Sequence, residues 1–583
     1  MKDQVNTKLG TPVPSRKHAV SVQLPTWQDM VALGNGDLTV INALRNGYPR
    51  SILHRHVQSL ASKCNAILAA SFEGKGGLSL FPDADSAEAC RAYLGNSQIH
   101  GSNATPDSLV RTLFLAFEGR PNLDDDCGGQ GLAPLWAVAY PESSATVAAS
   151  FWRLTGVGIS SRRAEAYLLE HSQIQIRPIE SLPLRLQPHT HCDAPVHEQL
   201  RRRISKIMGL SIPRSSGMTC PDSSDVFLFP SGMSAIFNVH RMLLKWRHAE
   251  SVVLGFPYEL TLKMLQTYGP SCKFLSAGTK EDLDELELYL HQRLQDGSTN
   301  VSVQAIWCEC PSNPLLWTPD LQRVRNLADK YDLAVVVDDT IGTFANVDVM
   351  DVADIVVSSL TKAFNGFADV LAGSAVFNPN SRHYHVLRTM FEASYANNLY
   401  VDDATQLELN SRTFLDRVSR MNQTAEYLVD YLRALISRAS RMSSLIQSYN
   451  RWNHVIRAVH FPKGSASMEN YVRQMRPATT MFKPGYGCLF TVDFQTVDIA
   501  AAFFDALELH KGPSLGADVT LAQPYVQMVL QREKEWAASH GVRETIVRIS
   551  VGMEDKESLL RRLQHALTVA SASVADIAVA AVL

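Results

Sequence analysis

From about residue 195 onward, short uninterrupted apolar runs alternate with longer stretches of helical period. DVFLFP at 225–230 is followed by an amphipathic run from Ser234 to His248, and SVVLGFP at 251–257 by LTLKMLQTYG. VQAIWCEC at 303–310 precedes LQRVRNLADKYD at 321–332, then LAVVVDD at 333–339 and DIVVSSL at 354–360. Continuous apolar strands separated by helices predict a mostly parallel sheet covered on both faces, an α/β architecture. Residues 400 to 440 read as helix. After a loop-rich stretch near 461–485, strands and helices resume (CLFTVDF, AAFFDALEL, TIVRISV), with a closing helix over 555–568.

The chain ahead of this region is mixed and turn-broken, with GlyAsnGly at 34–36 and PNLDDDCGGQG at 121–131 as loops by composition. The second loop is the candidate boundary, because the apolar LWAVAYP resumes directly after it. The predicted division is an N-terminal extension of unassigned role over 1–150 and a large α/β region over 151–440. A smaller α+β domain over 441–570 and a frayed or lightly packed tail over 571–583 complete it.

Composition narrows the function classes. The 583 residues allow several domains; 45% are hydrophobic and 19% charged, which fits a folded globular chain. The formal net charge is -3, so no global basic field draws nucleic acid. Nine Cys are too sparse for a disulfide scaffold. No apolar run reaches a spanning length of roughly 18 residues, and the first residues lack the apolar core of a secretory signal. A cytoplasmic, thiol-reducing location with no membrane partner is the expectation.

Three local patterns carry candidate chemistry. Val335–Val337 lead into Asp338 and Asp339, and Val356–Val357 lead into Ser358, Ser359, Leu360, Thr361 and Lys362. Carboxyl ends of strands in open parallel sheets face the ligand crevice. A carboxylate there needs a cationic partner, and a desolvated lysine is a natural imine former. Strand ends also carry Asp and Ser simply because loops begin there. Next, DVFLFP–SerGlyMet–SAIFNVHRMLLKW is a strand, a glycine turn and a helix, whose free amides at Gly232 and Met233 suit a phosphate. A plain strand–turn–helix is the alternative. Finally, Arg548 sits in the apolar strand TIVRISV, where its fork suits a carboxylate; an exposed edge-strand arginine is the alternative. Phosphate site, lysine, carboxylate and arginine together form the parts of a pyridoxal phosphate (PLP) enzyme.

At these residues the sequence resembles the cystathionine γ-synthase group of PLP enzymes of fold type I, and the long fungal members in particular. AIWCECPSNPLLWTPDL, VVVDDT and ADIVVSSLTKAFNGFADVLAGS resemble the family's E-x-P-x-N-P, V-D-N-T and S-x-T-K segments. SVQLPTWQDMV, NGYPRSILH and FWRLTGVGISSRRAE resemble the fungal N-terminal features, and HKGPSLGADVTLAQPY and RETIVRISVGMED the C-terminal part, so the likeness runs from about residue 18 to 568.

The resemblance implies the following roles. Lys362 bears the cofactor, Asp338 pairs with its ring nitrogen, and Tyr258 stacks on the ring and assists proton transfer. Gly232 and Met233 give amides, and Ser359 and Thr361 hydroxyls, to the phosphate. Asn313 lies near the ring oxygen, Glu309 steadies its segment, and Arg548 holds the substrate carboxylate. Arg162 matches a phosphate arginine supplied by a neighbouring subunit, which implies a homodimer or homotetramer with its site at the interface. The family's tyrosine two places before that arginine is Ser160 here, N-G-H-x-D reads Asn365-Gly366-Phe367-Ala368-Asp369, and S-G-x-G-G reads Pro484-Gly485-Tyr486-Gly487-Cys488. That last loop is where substrate choice is expected to differ. The implied reaction is γ-replacement on an O-acylated homoserine with cysteine, giving cystathionine for methionine biosynthesis. The alternative is γ-substitution or elimination with another nucleophile in a specialised pathway.

Other patterns are weaker. Gly512-Pro513-Ser514-Leu515-Gly516 matches the hydrolase G-x-S-x-G, with Asp518 and His540 downstream, but a polar run precedes it where a buried strand is needed. CysGluCys at 308–310 lacks a second pair for a metal and reads as core thiols. Among the 18 His no H-E-x-x-H helix signature occurs, and His189 and His191 read as surface loop residues.

Overall fold

The computed structural model of the chain describes residues 8–46, 52–71, 76–117, 133–170, 173–179, 193–211, 218–295, 303–440, 451–480 and 482–580. The loop at 121–131 and the pair His189 and His191 lie outside these residues.

The apolar runs form a seven-stranded sheet. Its order is Val226–Phe229, Gly373–Phe377, Ile355–Ser358, Ala334–Asp338, Val303–Glu309, Glu250–Leu254 and Cys272–Leu275. The strands are parallel except Gly373–Phe377, which runs antiparallel to both neighbours. The valine run shows why these segments are apolar without alternation. Val335 and Val337 face one core and Val336 the other, and all three are fully buried. Helices Gly232–Trp246 and Leu321–Tyr331 lie on opposite faces, in line with the two core clusters that hold their apolar sides.

Helix Phe414–Ser440 leads to the C-terminal domain. There a five-stranded sheet runs in the order Ile456–His460, Leu489–Phe494, Ile546–Ser550, Leu521–Gln523, His510–Lys511. Helix Val497–Ala506 packs against the last helix, Lys556–Ala580. That helix continues through most of the segment expected to fray, because its Ala-rich sequence is a strong helix former.

The N-terminal part is not one extension ending at 150. A four-stranded antiparallel sheet, Gly76–Phe81, Leu135–Pro141, Arg111–Phe117 and Ile174–Pro178, closes only with its last strand, which pairs with Arg111–Phe117. Its Phe81, Phe114 and Trp136 share a core with the large sheet. The segment before it belongs elsewhere: Val22, Leu24, Trp27, Met30, Val40 and Leu44 pack into the C-terminal core beside Leu489 and Phe490. No helix among the described residues is long and apolar enough to cross a membrane.

Candidate active site

Strand Ala334–Asp338 ends by delivering Asp338 to the floor of a cavity of about 810 Å³. Asp338 accepts a hydrogen bond from the Thr340 amide at 2.9 Å, and burial holds its carboxyl above the usual range. Neighbouring Asp339 is pushed up to about 7 by burial, against the Ser358 hydroxyl that donates to it. The adjacent parallel strand, Ile355–Ser358, ends level with Asp338 and turns through Ser359 to Lys362. The Ser359 amide donates to Thr340 Oγ1 at 2.7 Å, which ties the two strand ends together. Lys362 is buried, and its Nζ donates to Ser514 Oγ at 3.1 Å.

The third wall begins helix Gly232–Trp246. Ser231 caps it, accepting from the Ser234 amide at 3.1 Å, so the amides of Gly232 and Met233 stay in the first turn without an intrahelical acceptor. A Cβ at Gly232 would stand 2.7 Å from Ser359 Cβ, closer than any side chain tolerates. Only glycine lets the helix start lie against the lysine turn.

Tyr258 also lines the cavity; its amide donates to Glu309 Oε1 at 2.7 Å. Glu309 is buried at the end of its own strand, and desolvation together with the nearby Asp338 raises it well above an ordinary carboxyl. Arg548 reaches in from strand Ile546–Ser550, where it is buried rather than on an exposed edge. Its Nη1 donates to Asn313 Oδ1 at 3.0 Å, and its Nη2 to the Ser514 carbonyl at 3.2 Å and to Gln523 Oε1. The Tyr525 ring lies 5.1 Å below the guanidinium.

The structure thus brings Lys362, Asp338, Tyr258, Gly232, Met233, Ser359, Asn313 and Arg548 to one cavity. Two expected residues stand apart. Thr361 is turned inward, donating to the Ala372 carbonyl at 3.1 Å and accepting its amide at 3.0 Å, so its hydroxyl steadies the turn and does not line the cavity. Arg162 lies outside its own chain's cavity, donating to the Asp369 carbonyl at 2.6 Å and to Asp403 Oδ1 at 3.0 Å. The loop 484–488 does not line the cavity either. Its Gly485 amide donates to Asn346 Oδ1 at 2.9 Å, and its carbonyl accepts from Tyr471. Leu33, Gly34 and Ile41 line the cavity instead, with Met528, Arg532 and Glu533.

Ser514 is the residue sequence reasoning missed. The G-x-S-x-G pattern picked it out only as a hydrolase nucleophile, a reading its sequence context argued against. Its proposed triad partners are elsewhere: Asp518 pairs with Arg16 at 2.7 Å, and His540 Nδ1 sits 2.9 Å from Ser276 Oγ. Cys308 and Cys310 are buried thiols in the core, and burial pushes Cys308 up to about 12.

The donor set fits a phosphorylated pyridine aldehyde. First-turn amides beside a serine suit the phosphate, the buried Asp338 calls for a protonated ring nitrogen, and Lys362 is within the same cavity for the aldehyde. Fold and site therefore define a PLP-dependent enzyme of fold type I.

The chain belongs to the Cys/Met metabolism PLP-dependent enzyme family, whose model matches residues 218–568. A second model, the N-terminal domain of fungal trans-sulfuration enzymes, matches residues 56–160. An alanine racemase of Aspergillus violaceofuscus is 40% identical over 96% of this chain and 96% of that protein. A cystathionine γ-synthase of Neurospora crassa is 33% identical over 97% and 98%. The crystal structure of MetB from Corynebacterium glutamicum shares the fold with a TM-score of 0.50 and 22% identity, covering 67% of this chain and 89% of that one.

Proposed function

We propose that this enzyme replaces the γ-substituent of an O-acylated homoserine, with cysteine as the nucleophile and cystathionine as the product. The single observation that carries the reading is the junction at Ser514. Its hydroxyl meets the Lys362 amine, and its carbonyl meets the Arg548 guanidinium. The proton-carrying amine and the carboxylate clamp are thereby fixed relative to each other.

When bound, pyridoxal phosphate supplies the electron sink that acidifies the α-proton of the joined amino acid. Gly232, Met233 and Ser359 would hold its phosphate, and Asp338 would keep its ring nitrogen protonated. Arg548 binds the substrate α-carboxylate as a fork, which orients the Cα–H bond. Lys362 Nζ takes the proton from Cα and then handles the proton at Cβ, with Ser514 Oγ as its hydrogen-bond partner between transfers. Tyr258, fixed by Glu309 through its amide, stands on the cavity wall to assist that transfer. The acyl group departs from Cγ as a carboxylate, and the cysteine thiolate forms the new C–S bond. Arg162, outside its own cavity, is read as serving a second copy of this chain, so the working unit is at least a dimer.

A second reading is favoured by the likeness to the Aspergillus racemase, which exceeds that to the Neurospora synthase. The same α-proton transfer, without departure of a γ-group, inverts an amino acid. γ-Substitution by another nucleophile, or elimination, in a specialised pathway is a separate alternative that keeps the departure of the γ-group.

Incubation with O-acetylhomoserine or O-succinylhomoserine, with and without cysteine, tests the proposal by product mass. Cysteine-dependent cystathionine supports it; formation of 2-oxobutyrate alone assigns elimination. Inversion of L-alanine with deuterium uptake at Cα, with both acyl-homoserines inert, assigns the second reading.

A further inference from the structure

We propose that His18, His54, His56 and Glu165 form a binding site for a divalent transition metal of the Zn²⁺ class, which clips the N-terminal strap to the N-terminal sheet domain. His18 lies in the strap between strands Pro12–Val13 and Ser21–Val22. His54 and His56 flank the first residue of helix Arg55–Ser71, in an H-x-H spacing. Glu165 lies on helix Ser161–Leu169. Three segments remote in sequence thus supply the four side chains.

One ligand atom from each histidine lies within 4.8 Å of the other two. Glu165 Oε2 is 3.3 Å from His18 Nε2, and its Oε1 is 3.8 Å from His56 Nε2. The three rings stand edge to face or tilted, with centroids 4.7, 5.7 and 5.9 Å apart. Three imidazoles and one carboxylate are a borderline-soft N₃O set, and four protein ligands make a closed, structural site. Tetrahedral coordination at Zn–N distances of about 2.0–2.1 Å brings ligand nitrogens to about 3.4 Å of one another. The present spacing reaches that by side-chain torsion.

Outer partners are in place. His18 Nδ1 lies 3.0 Å from Ser161 Oγ, which leaves Nε2 for the metal. His54 Nε2 lies 3.3 Å from the Lys17 carbonyl, so it carries the proton. The lone pair on His54 Nδ1 now accepts only the His56 amide, at 3.2 Å. His56 Nδ1 is buried with no hydrogen-bond partner. Such contacts fix tautomers and ring planes in metal sites. Burial first, then the neighbouring cations, lowers His18 to about 4; burial and His56 do the same for His54. Lys17 Nζ, 2.6 Å from Glu165 Oε1, is mostly exposed and free to swing into water when a dication takes its place.

The location gives the clip a purpose. The strap continues to Val20, whose amide donates to the Ala368 carbonyl at 2.7 Å, and to Ser21, whose hydroxyl donates to the Pro513 carbonyl beside Ser514. Helix Ser161–Leu169 carries Arg162. A metal here ties the strap that backs Ser514 to the helix that presents Arg162.

The test uses the full-length holoenzyme, stripped with a chelator at saturating PLP and titrated with ZnCl₂ or CoCl₂. The expected result is one ion per chain, a tetrahedral ligand-field spectrum with Co²⁺, and a rise in melting temperature on loading. His54→Ala/His56→Ala and, separately, Glu165→Gln are expected to weaken binding, the double variant by at least about 100-fold. Substoichiometric binding by the wild-type chain overturns the proposal. So does a double variant that binds Zn²⁺ as tightly as wild type, since the ion then sits elsewhere. If the double variant fails to fold, Glu165→Gln and the wild-type stoichiometry decide.

Discussion

The Nζ of Lys362 and the Oγ of Ser514 are 3.1 Å apart, although 152 residues separate them in sequence. Ser514 holds this position at φ +98°, a backbone region that side chains other than glycine rarely adopt. Strain at a residue that touches the buried Lys362 amine is best explained by what it positions. Ser514→Ala removes the hydroxyl and keeps the strain. Ser514→Gly removes both, and is expected to stabilise the chain by about 1 kcal/mol. Both variants are expected to lose turnover by about 10-fold or more while retaining bound PLP. Calorimetry and steady-state kinetics on the pair separate the two effects.

Lys362→Ala is expected to lose the protein-linked visible absorbance of the cofactor on dialysis and to lose turnover. Near-native turnover in that variant would remove the lysine from its assigned role, whatever the spectrum.

Gly232→Ala puts a methyl group where only 2.7 Å separates it from Ser359 Cβ. Overpacking of this kind costs about 1–3 kcal/mol. The helix start and the lysine turn must then part, so PLP affinity is expected to fall by about 5- to 150-fold by fluorescence titration, with substrate KM changing less at saturating cofactor.

Asp339 contributes a pH dependence whose sign follows from burial. Its folded carboxyl is raised to about 7 from an ordinary value of 3.8, so the folded chain holds this proton more tightly than the unfolded one. Its contribution to stability is full below about 4 and is lost as pH rises through about 7. The slope is at most about 1.4 kcal/mol per pH unit. His18, His54 and His240, lowered by burial, act in the opposite sense over part of the same window. The diagnostic quantity is therefore the melting difference between the wild-type apoprotein and Asp339→Asn, which is expected to move against wild type as pH rises from 4 to 7. A constant difference would show that Asp339 does not titrate there.

Arg548→Lys replaces a fork that reaches Asn313, Ser514 and Gln523 at once with a point charge. KM for the amino-acid substrate is expected to rise about 10- to 100-fold, with a smaller change in kcat, as measured by initial rates over a range of substrate.

The sheet was legible because its strands are buried on both faces. Val335–Val337 show no alternation, and that continuity with a terminal carboxylate marked both the strand and Asp338. Lys362 followed from the next strand by the same logic. Ser514 was visible as a pattern whose hydrolase reading its context argued against, but G-x-S-x-G does not say which distant amine meets the hydroxyl. Thr361 and the loop 484–488 could not be placed by motif alone. Whether a hydroxyl faces a cavity or its own backbone depends on the antiparallel strand Gly373–Phe377, whose lead-in residue Ala372 holds Thr361. The N-terminal boundary was hidden for a related reason: Ile174–Pro178 completes a sheet whose other strands lie far upstream.

The strap has one practical outcome. Leu24 donates its amide to the Lys511 carbonyl, Ser21 reaches Pro513, and Arg16 reaches Asp518, so the segment from Arg16 to Leu24 buttresses the turn that holds Ser514 from behind. Cutting the polypeptide back to the stretch matched by the Cys/Met family would keep Lys362, Asp338, Tyr258 and Ser514 and still remove the strap on which the Ser514 turn rests. In this enzyme the beginning of the chain is masonry for the chemistry near its end.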